Sequence, residues 1–382
     1  MAPMNLLPSM LSIYLCFNFL LFSCSSPTKI FANAERNGND STIKGMFVFG
    51  DSFLDNGNNN FLETIAKADY LPYGMDSPLG PSGRFSNGKN FIDVLGELLN
   101  ISTSIPAFLD PSTKGNHTSV GVTFASGGSG ILNESGNTAG GSVPSLDEQI
   151  KNFEEITLPE LQSQGETSSR KSLSKYLFVI GCGSNDYVLN YFRNGSESNI
   201  SVQDFTANLT TNLSSHLKKL YNLGAQKIVL MSLYPIGCSP LSIAAQPAKR
   251  KGCNKSHNEA ALLFNAKLKA MVKGIRPQKP GPNVVMVNGY KIVRDIIRNP
   301  ASNGFVNANE SCCKVLTAGE GRVEARILCE KGGSTCEDRK KQVYFDGFHL
   351  TEAVNVILAT KAFGSNLTTD AYPFSISKLA QI

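Results

Sequence analysis

The sequence predicts an α/β fold: a mostly parallel five-stranded sheet with helices on both faces. Two observations predict it. Five short apolar runs, at residues 45–49, 120–124, 176–180, 227–231 and 284–287, are rich in Val, Ile and Phe and lack polar alternation. Strands covered on both faces read this way. Between the runs lie stretches with helical spacing, and strands that alternate with helices build parallel sheets. Residues 204–223 place Phe205, Leu209, Leu213, Leu217 and Leu220 on one helix face, and residues 254–275 do the same with Leu263, Phe264, Leu268, Met271, Val272 and Ile275. No repeat, low-complexity block or linker divides residues 35–382, which are therefore expected to form a single domain.

Residues 1–34 differ from the rest. They hold no Asp or Glu and only one basic residue, Lys29, and an apolar stretch from Leu11 to Phe22 precedes Ala32-Asn33-Ala34. This pattern predicts a secretory signal peptide cleaved before Glu35, with cleavage near Ser25 or Ser26 as the alternative. The apolar stretch is short for a bilayer span, and no later stretch is long enough for one, so no stable membrane span is expected after signal removal. Two further features point to a secreted protein of the extracellular space or cell wall. Eleven N-x-Ser/Thr sequons start at Asn39, Asn100, Asn116, Asn133, Asn194, Asn199, Asn208, Asn212, Asn254, Asn309 and Asn366, so N-linked glycans are expected. Seven of the nine cysteines lie beyond the leader, and in an exported chain such cysteines pair. Cys238 and Cys253 flank one loop, and Cys312 or Cys313 would pair with Cys329 and Cys336. Cys182 ends an apolar strand far from the others and is the expected free thiol. The cysteines form no C-x-x-C pair and have no histidine cluster beside them, which argues against zinc. The formal net charge of +5 is too small to argue for nucleic acid.

In open parallel sheets, ligands bind at the carboxyl ends of the strands, so the informative residues come directly after each apolar run. Gly50-Asp51-Ser52-Phe53-Leu54-Asp55 comes after the first, with an ordered polar loop through Asn60. Phe124-Ala125-Ser126-Gly127-Gly128-Ser129-Gly130 comes after the second, where glycines let backbone N–H groups approach a ligand. Gly181-Cys182-Gly183-Ser184-Asn185-Asp186 comes after the third, and Tyr344-Phe345-Asp346-Gly347-Phe348-His349 lies near the C-terminus.

With these blocks, and with Pro72-Tyr73-Gly74, Gly83-Arg84-Phe85-Ser86-Asn87-Gly88 and Tyr234-Pro235-Ile236-Gly237-Cys238 in order along nearly the whole mature chain, the sequence resembles the plant GDSL esterase/lipases of the SGNH-hydrolase superfamily. The resemblance implies a three-layer α/β/α, flavodoxin-like sandwich. It implies Ser52 as nucleophile, Asp346 and His349 as the rest of a catalytic triad, and Gly128 and Asn185 in the oxyanion hole. The chain departs from the family pattern in having Phe53 for Leu, Phe345 for Trp, Leu350 for Pro and Cys182 for Gly, none of which removes a catalytic atom.

The residue chemistry agrees. A serine hydroxyl needs an adjacent base, an imidazole can take and return the proton, and a carboxylate on the other ring nitrogen fixes the tautomer. Of the four histidines, His117, His216, His257 and His349, only His349 has a carboxylate three residues before it at a strand end. Fixed donors, the Ser52 and Gly128 N–H groups and the Asn185 amide, would hold the oxyanion; Gly127 is the alternative to Gly128. There is no Gly-x-Ser-x-Gly elbow, no Gly-x-Gly-x-x-Gly after a strand and no His-Glu-x-x-His, so other serine hydrolases, dinucleotide enzymes and metallohydrolases are disfavoured. The expected function is a serine carboxylic-ester hydrolase working through an acyl-enzyme on an acyl-ester substrate, with no cofactor. An acyltransferase and a low-activity secreted binding glycoprotein on the same scaffold are the alternatives.

Overall fold

A computed structural model describes residues 43–114, 118–137, 141–165, 173–193, 200–247, 250–275, 281–316 and 326–382. The expected leader, the sequons at Asn39, Asn116, Asn194 and Asn199, and His117 lie outside the described residues.

The apolar runs form strands β1 (Gly45–Gly50), β2 (Gly121–Thr123), β3 (Tyr176–Gly181), β4 (Lys227–Met231) and β5 (Asn283–Val287). They pair in parallel in the order β2-β1-β3-β4-β5. Every residue of β1, β3 and β4 is buried, which is why these runs show no polar alternation. The sheet has six strands, not the expected five. The sixth, Ala371–Tyr372, is antiparallel to β5. It is two residues long, and its pairing is set by the returning chain, so it leaves no apolar run to read. Beside the main sheet, Asn307–Ser311 (β6) and Gln342–Tyr344 (β7) pair in parallel; with these, the edge strand Ala371–Tyr372 is β8.

Helices cover both faces. One layer packs Phe91–Leu98 (α1), Gly289–Arg298, Glu352–Gly364 and Ile376–Gln381 together. The other packs Leu146–Asn152, Val202–Leu223 and Lys255–Ile275. The two long helices carry their buried leucines and Phe264 at the positions the spacing predicts, including Leu209, Leu213, Leu217 and Leu268. Five of the core's aromatics, Phe47, Phe49, Phe124, Phe153 and Phe178, meet across β1–β3 with centroids 4.9–6.5 Å apart. Burying each contributes about 1.5–3 kcal/mol, and the cluster fixes the strands whose ends carry the polar loops.

Three disulfides join Cys238–Cys253, Cys312–Cys336 and Cys313–Cys329, and Cys182 is a buried free thiol. Cys312 and Cys313 lie on an extended segment where Cys313 bridges to Thr335 and Val315 to Cys329. Side chains alternate along such a segment, so the two neighbouring cysteines take different partners. Among the described residues, no helix is long and apolar enough to cross a membrane.

Candidate active site

Strand β1 ends in a turn that only glycine permits. Gly50 has φ 146°, and a Cβ there would lie 2.0 Å from the Gly181 carbonyl oxygen on β3. The Gln149 side chain clamps this peptide from the helix above: the Gly50 N–H donates to Gln149 Oε1 (2.8 Å) and Gln149 Nε2 donates to the Gly50 carbonyl (2.9 Å). The turn delivers Ser52 to the carboxyl edge of the sheet.

Asp346 and His349 sit on a tight loop after β7. Tyr344 and Leu350 bridge in antiparallel fashion, and the Phe345 N–H donates to the His349 carbonyl at 2.8 Å. Inside the loop, Asp346 Oδ1 accepts the N–H groups of Phe348 (2.8 Å) and His349 (2.7 Å). The loop is tied to residues 87–89, since the Glu352 N–H donates to Asn87 Oδ1 (2.9 Å) and Asn355 Nδ2 to the Lys89 carbonyl (3.1 Å). Phe85, from the same block, lies against the His349 ring at 4.9 Å. Arg84 is buried and holds the carboxylate of Asp93 with two donors at 2.6 and 2.8 Å. Asp93 in turn completes the capping box of α1 with Asn90. The Gly83–Gly88 block therefore serves as the mount of the histidine loop.

The fold brings Ser52 and His349, 297 positions apart, into contact. His349 Nε2 is 2.7 Å from Ser52 Oγ, and His349 Nδ1 is 2.7 Å from Asp346 Oδ2. All three residues are buried. In the tautomer that donates from Nδ1 to the Asp346 carboxylate, Nε2 is free to accept from the serine. A cavity of about 30 Å³ adjoins Ser52 and His349 and is also lined by Gly128 and Asn185. Asn185 Nδ2 gives one hydrogen to the Ser129 carbonyl at 2.9 Å, which leaves the second for the cavity. The two glycines differ in their hydrogen bonding. The Gly127 N–H is shared between Asp55 Oδ2 and Asn59 Oδ1, both at 3.0 Å, whereas Gly128 lines the cavity in a left-handed conformation (φ 89°).

The loop after Ser52 is less exposed than its polarity suggests. Asp55, Asn58 and Asn59 are buried, and their side chains replace the secondary-structure hydrogen bonds that the backbone lacks. Asp55 Oδ1 accepts from Gly57 and Asn58 at 2.7 and 2.8 Å, while Asn58 Nδ2 donates to the carbonyls of Thr123 and Ala125, both at 2.8 Å. This network locks the Ser52 loop to the Gly128 loop. Asp186 does the same beside Asn185, accepting from Ile131, Leu132 and the Ser135 hydroxyl at 2.8–3.0 Å. Burial raises both carboxyls to about 6, against the pull of these donors. Asp51, next to Ser52, is raised to about 7 by burial, opposed by the Phe53 N–H and by His349.

The spacing-based reading did not single out Tyr73, whose hydroxyl donates to Asp346 Oδ2 at 2.6 Å. The signal was its place in Pro72-Tyr73-Gly74, which carries no chemistry until the fold is known. The remaining described histidines lie elsewhere. His257 bonds Ser242 at 3.0 Å, stacks on Phe192 and is lowered to about 4 by burial, so it stays neutral at pH 7. His216 sits 3.8 Å from Asp147 and is also lowered by burial. A groove of about 1000 Å³ is lined in part by His257; two of its lining residues, Val188 and Gly347, precede in sequence Leu189 and Phe348, which line the small cavity. Among the described residues, no cluster of three or more His, Cys, Asp or Glu side chains could hold a metal ion.

Comparison with known proteins agrees with this architecture. Residues 46–362 match the GDSL-like Lipase/Acylhydrolase family. The Arabidopsis thaliana protein GDSL esterase/lipase At1g29670 is 38% identical over 374 residues, covering 97% of each chain. GDSL esterase/lipase At1g71250, from the same plant, is 38% identical over 365 residues, covering 94% of this chain and 95% of its own. GDSL esterase/lipase At4g16230 is 36% identical over 344 residues, 89% of this chain and 92% of its own. The chain belongs to the GDSL-like lipase/acylhydrolase family and is, with it, a carboxylic ester hydrolase.

Proposed function

We propose that the protein is a secreted serine esterase in which Ser52, His349 and Asp346 form the catalytic triad and the ester is cleaved through an acyl-enzyme. The observation that carries this reading is the unbroken chain of contacts Ser52 Oγ–His349 Nε2 and His349 Nδ1–Asp346 Oδ2, both 2.7 Å. Ser52 Oγ attacks the ester carbonyl carbon while its proton passes to His349 Nε2, and the carbonyl π pair moves onto oxygen. The Ser52 and Gly128 N–H groups and the Asn185 amide stabilise that oxyanion. Collapse of the intermediate breaks the C–O bond to the alcohol, which leaves with the proton from His349. Water, activated by the same imidazole, then releases the acid. Asp346 stays ionised throughout and holds the imidazolium. A second acceptor alcohol in place of water would make the same site a transacylase.

Residues 1–34 serve as the leader in this reading and residues 35–382 as the hydrolase domain. Export is supported by the three disulfides. It is supported too by the exposure of the sequon asparagines Asn100, Asn133, Asn208, Asn309 and Asn366. Expressed in plant cells, the full chain is expected in the extracellular fluid, with a lower apparent mass after N-glycosidase treatment. A fluorophosphonate should label the peptide that contains Ser52 and no other serine. Retention inside the cell would refute the export, and labelling elsewhere would refute the nucleophile. Asn185→Ala is expected to lower kcat by about 10²–10³-fold with little change in KM, since one oxyanion donor is lost. A wild-type kcat would remove Asn185 from the oxyanion hole.

A further inference from the structure

The structure assigns Tyr73 as a positioning residue that sets the basicity of His349 through the Asp346 carboxylate. The inference rests on the triad proposed above. Asp346 is buried and takes four donors. Oδ1 accepts the Phe348 and His349 N–H groups, and Oδ2 is shared between His349 Nδ1 at 2.7 Å and the Tyr73 hydroxyl at 2.6 Å. Tyr73 therefore competes with the imidazole for the same oxygen. A short hydrogen bond to an anion is charge-assisted. It withdraws charge from the carboxylate and so weakens the field that would hold a proton on His349.

Tyr73 is built for this place. It is fully buried, and its ring is wedged edge-on among Tyr70, Phe85 and Phe345 with centroids 5.4–6.0 Å away. Its hydroxyl oxygen accepts the Cys329 N–H at 3.1 Å, which leaves the O–H hydrogen to point at Asp346. Tyr70 donates to the Cys329 carbonyl at 2.9 Å, so both phenols grip one peptide region anchored by the Cys313–Cys329 disulfide. The disulfide segment thus reaches the Asp346 carboxylate through the Tyr73 phenol, beside the backbone bonds from the Gly347 N–H to the Ile327 carbonyl and from the Cys313 N–H to the Phe345 carbonyl, both 2.8 Å. Burial and the nearby carboxylate keep the Tyr73 proton on oxygen, far above the usual tyrosine range. The group is a permanent donor and never a base.

The other titratable groups that face the Asp346–His349 pair are Tyr70 beside the Tyr73 turn, Tyr234 after β4 and Asp51 after β1. Both tyrosines are held above their usual range by burial and stay neutral. Asp55 and Asp186, raised to about 6, lie on the neighbouring loops and can change charge in the range of histidine; of the three groups that face the pair, the one that can is Asp51, raised to about 7. Its contribution is removed by making the comparison in the Asp51→Asn protein as well.

The test is the pH profile of kcat/KM for p-nitrophenyl butyrate, measured on the full glycoprotein. Tyr73→Phe keeps the ring contacts and deletes the donor. Its acid limb is expected to move up by about half to one pH unit, with kcat down about tenfold and KM unchanged. The same upward shift is expected on the Asp51→Asn background. A merely structural role would lower the melting temperature, because the Cys329 N–H loses its acceptor, and would leave the limb where it was. An acid limb that coincides with wild type therefore overturns the proposal. Should Tyr73→Phe fail to fold, site-specific 3-fluorotyrosine at position 73 answers the same question. It retains the donor and makes it more acidic, so the limb is expected to move down, and an unmoved limb again overturns the role. Ser52→Ala in the same assay separates the two readings: surviving activity sinks the triad, whereas a silent Ser52→Ala with an unmoved limb sinks only Tyr73.

Discussion

Ser52→Ala is expected to abolish turnover of short p-nitrophenyl esters, a loss on the order of 10⁶ in kcat, while the protein folds and melts as before. The loss is large because, among the described residues that line the cavity, Ser52 carries the only hydroxyl, and it is in contact with a base. His349 Nε2 touches Ser52 Oγ. His349→Ala should cost as much, since a serine without a base reacts at its low intrinsic rate. The double variant should lose no more than either single one, because residues that act as one unit are not additive. Folding should survive the serine change. The removed hydroxyl bonds His349, and the space left adjoins an existing cavity of about 30 Å³. Turnover persisting in both single variants, with circular dichroism unchanged, would mean that another nucleophile and base carry the reaction.

Much of this site is legible in the sequence because the fold confines it to strand ends. Central parallel strands bury both faces, so β1, β3 and β4 announce themselves as apolar runs, and the residues directly after each run must lie at the carboxyl edge. His349 is separable from the other histidines by Asp346 three residues before it and by its place at a strand end. Three features were not legible, for related reasons. Strand β8 contains two residues and is defined by its partner β5 rather than by its own pattern. The polar run from Asp55 to Asn59 reads as a surface loop, yet its side chains are consumed by backbone groups as distant as Gly127. Tyr73 is 273 positions from Asp346, and a single tyrosine in a turn gives no sign of its partner. Contacts between loops that share no strand register depend on the whole fold, and no local periodicity encodes them.

Asp346→Asn is expected to lower kcat by about 10⁴-fold without unfolding the protein. The donors around the carboxylate dictate this outcome. Oδ1 is held by two backbone N–H donors, at 2.8 and 2.7 Å, so the amide oxygen of an asparagine must take that side. Its NH₂ then replaces Oδ2 and faces His349 Nδ1 and the Tyr73 hydroxyl, which were both donors to it. Tyr73 can turn its hydrogen away and accept. His349 can accept only as the tautomer protonated at Nε2, and that proton then points at Ser52 Oγ, where the base is required. Flipping the amide instead would set an NH₂ against two backbone N–H groups, at a cost of about 1–3 kcal/mol for each stranded donor. The substitution therefore keeps the shape of the loop and inverts the polarity of the relay. Its mark is a large fall in kcat with unchanged KM, together with a melting temperature lowered by only a few degrees. A rate near wild type would show that a group other than Asp346 orients the imidazole, and the triad would have to be reassigned.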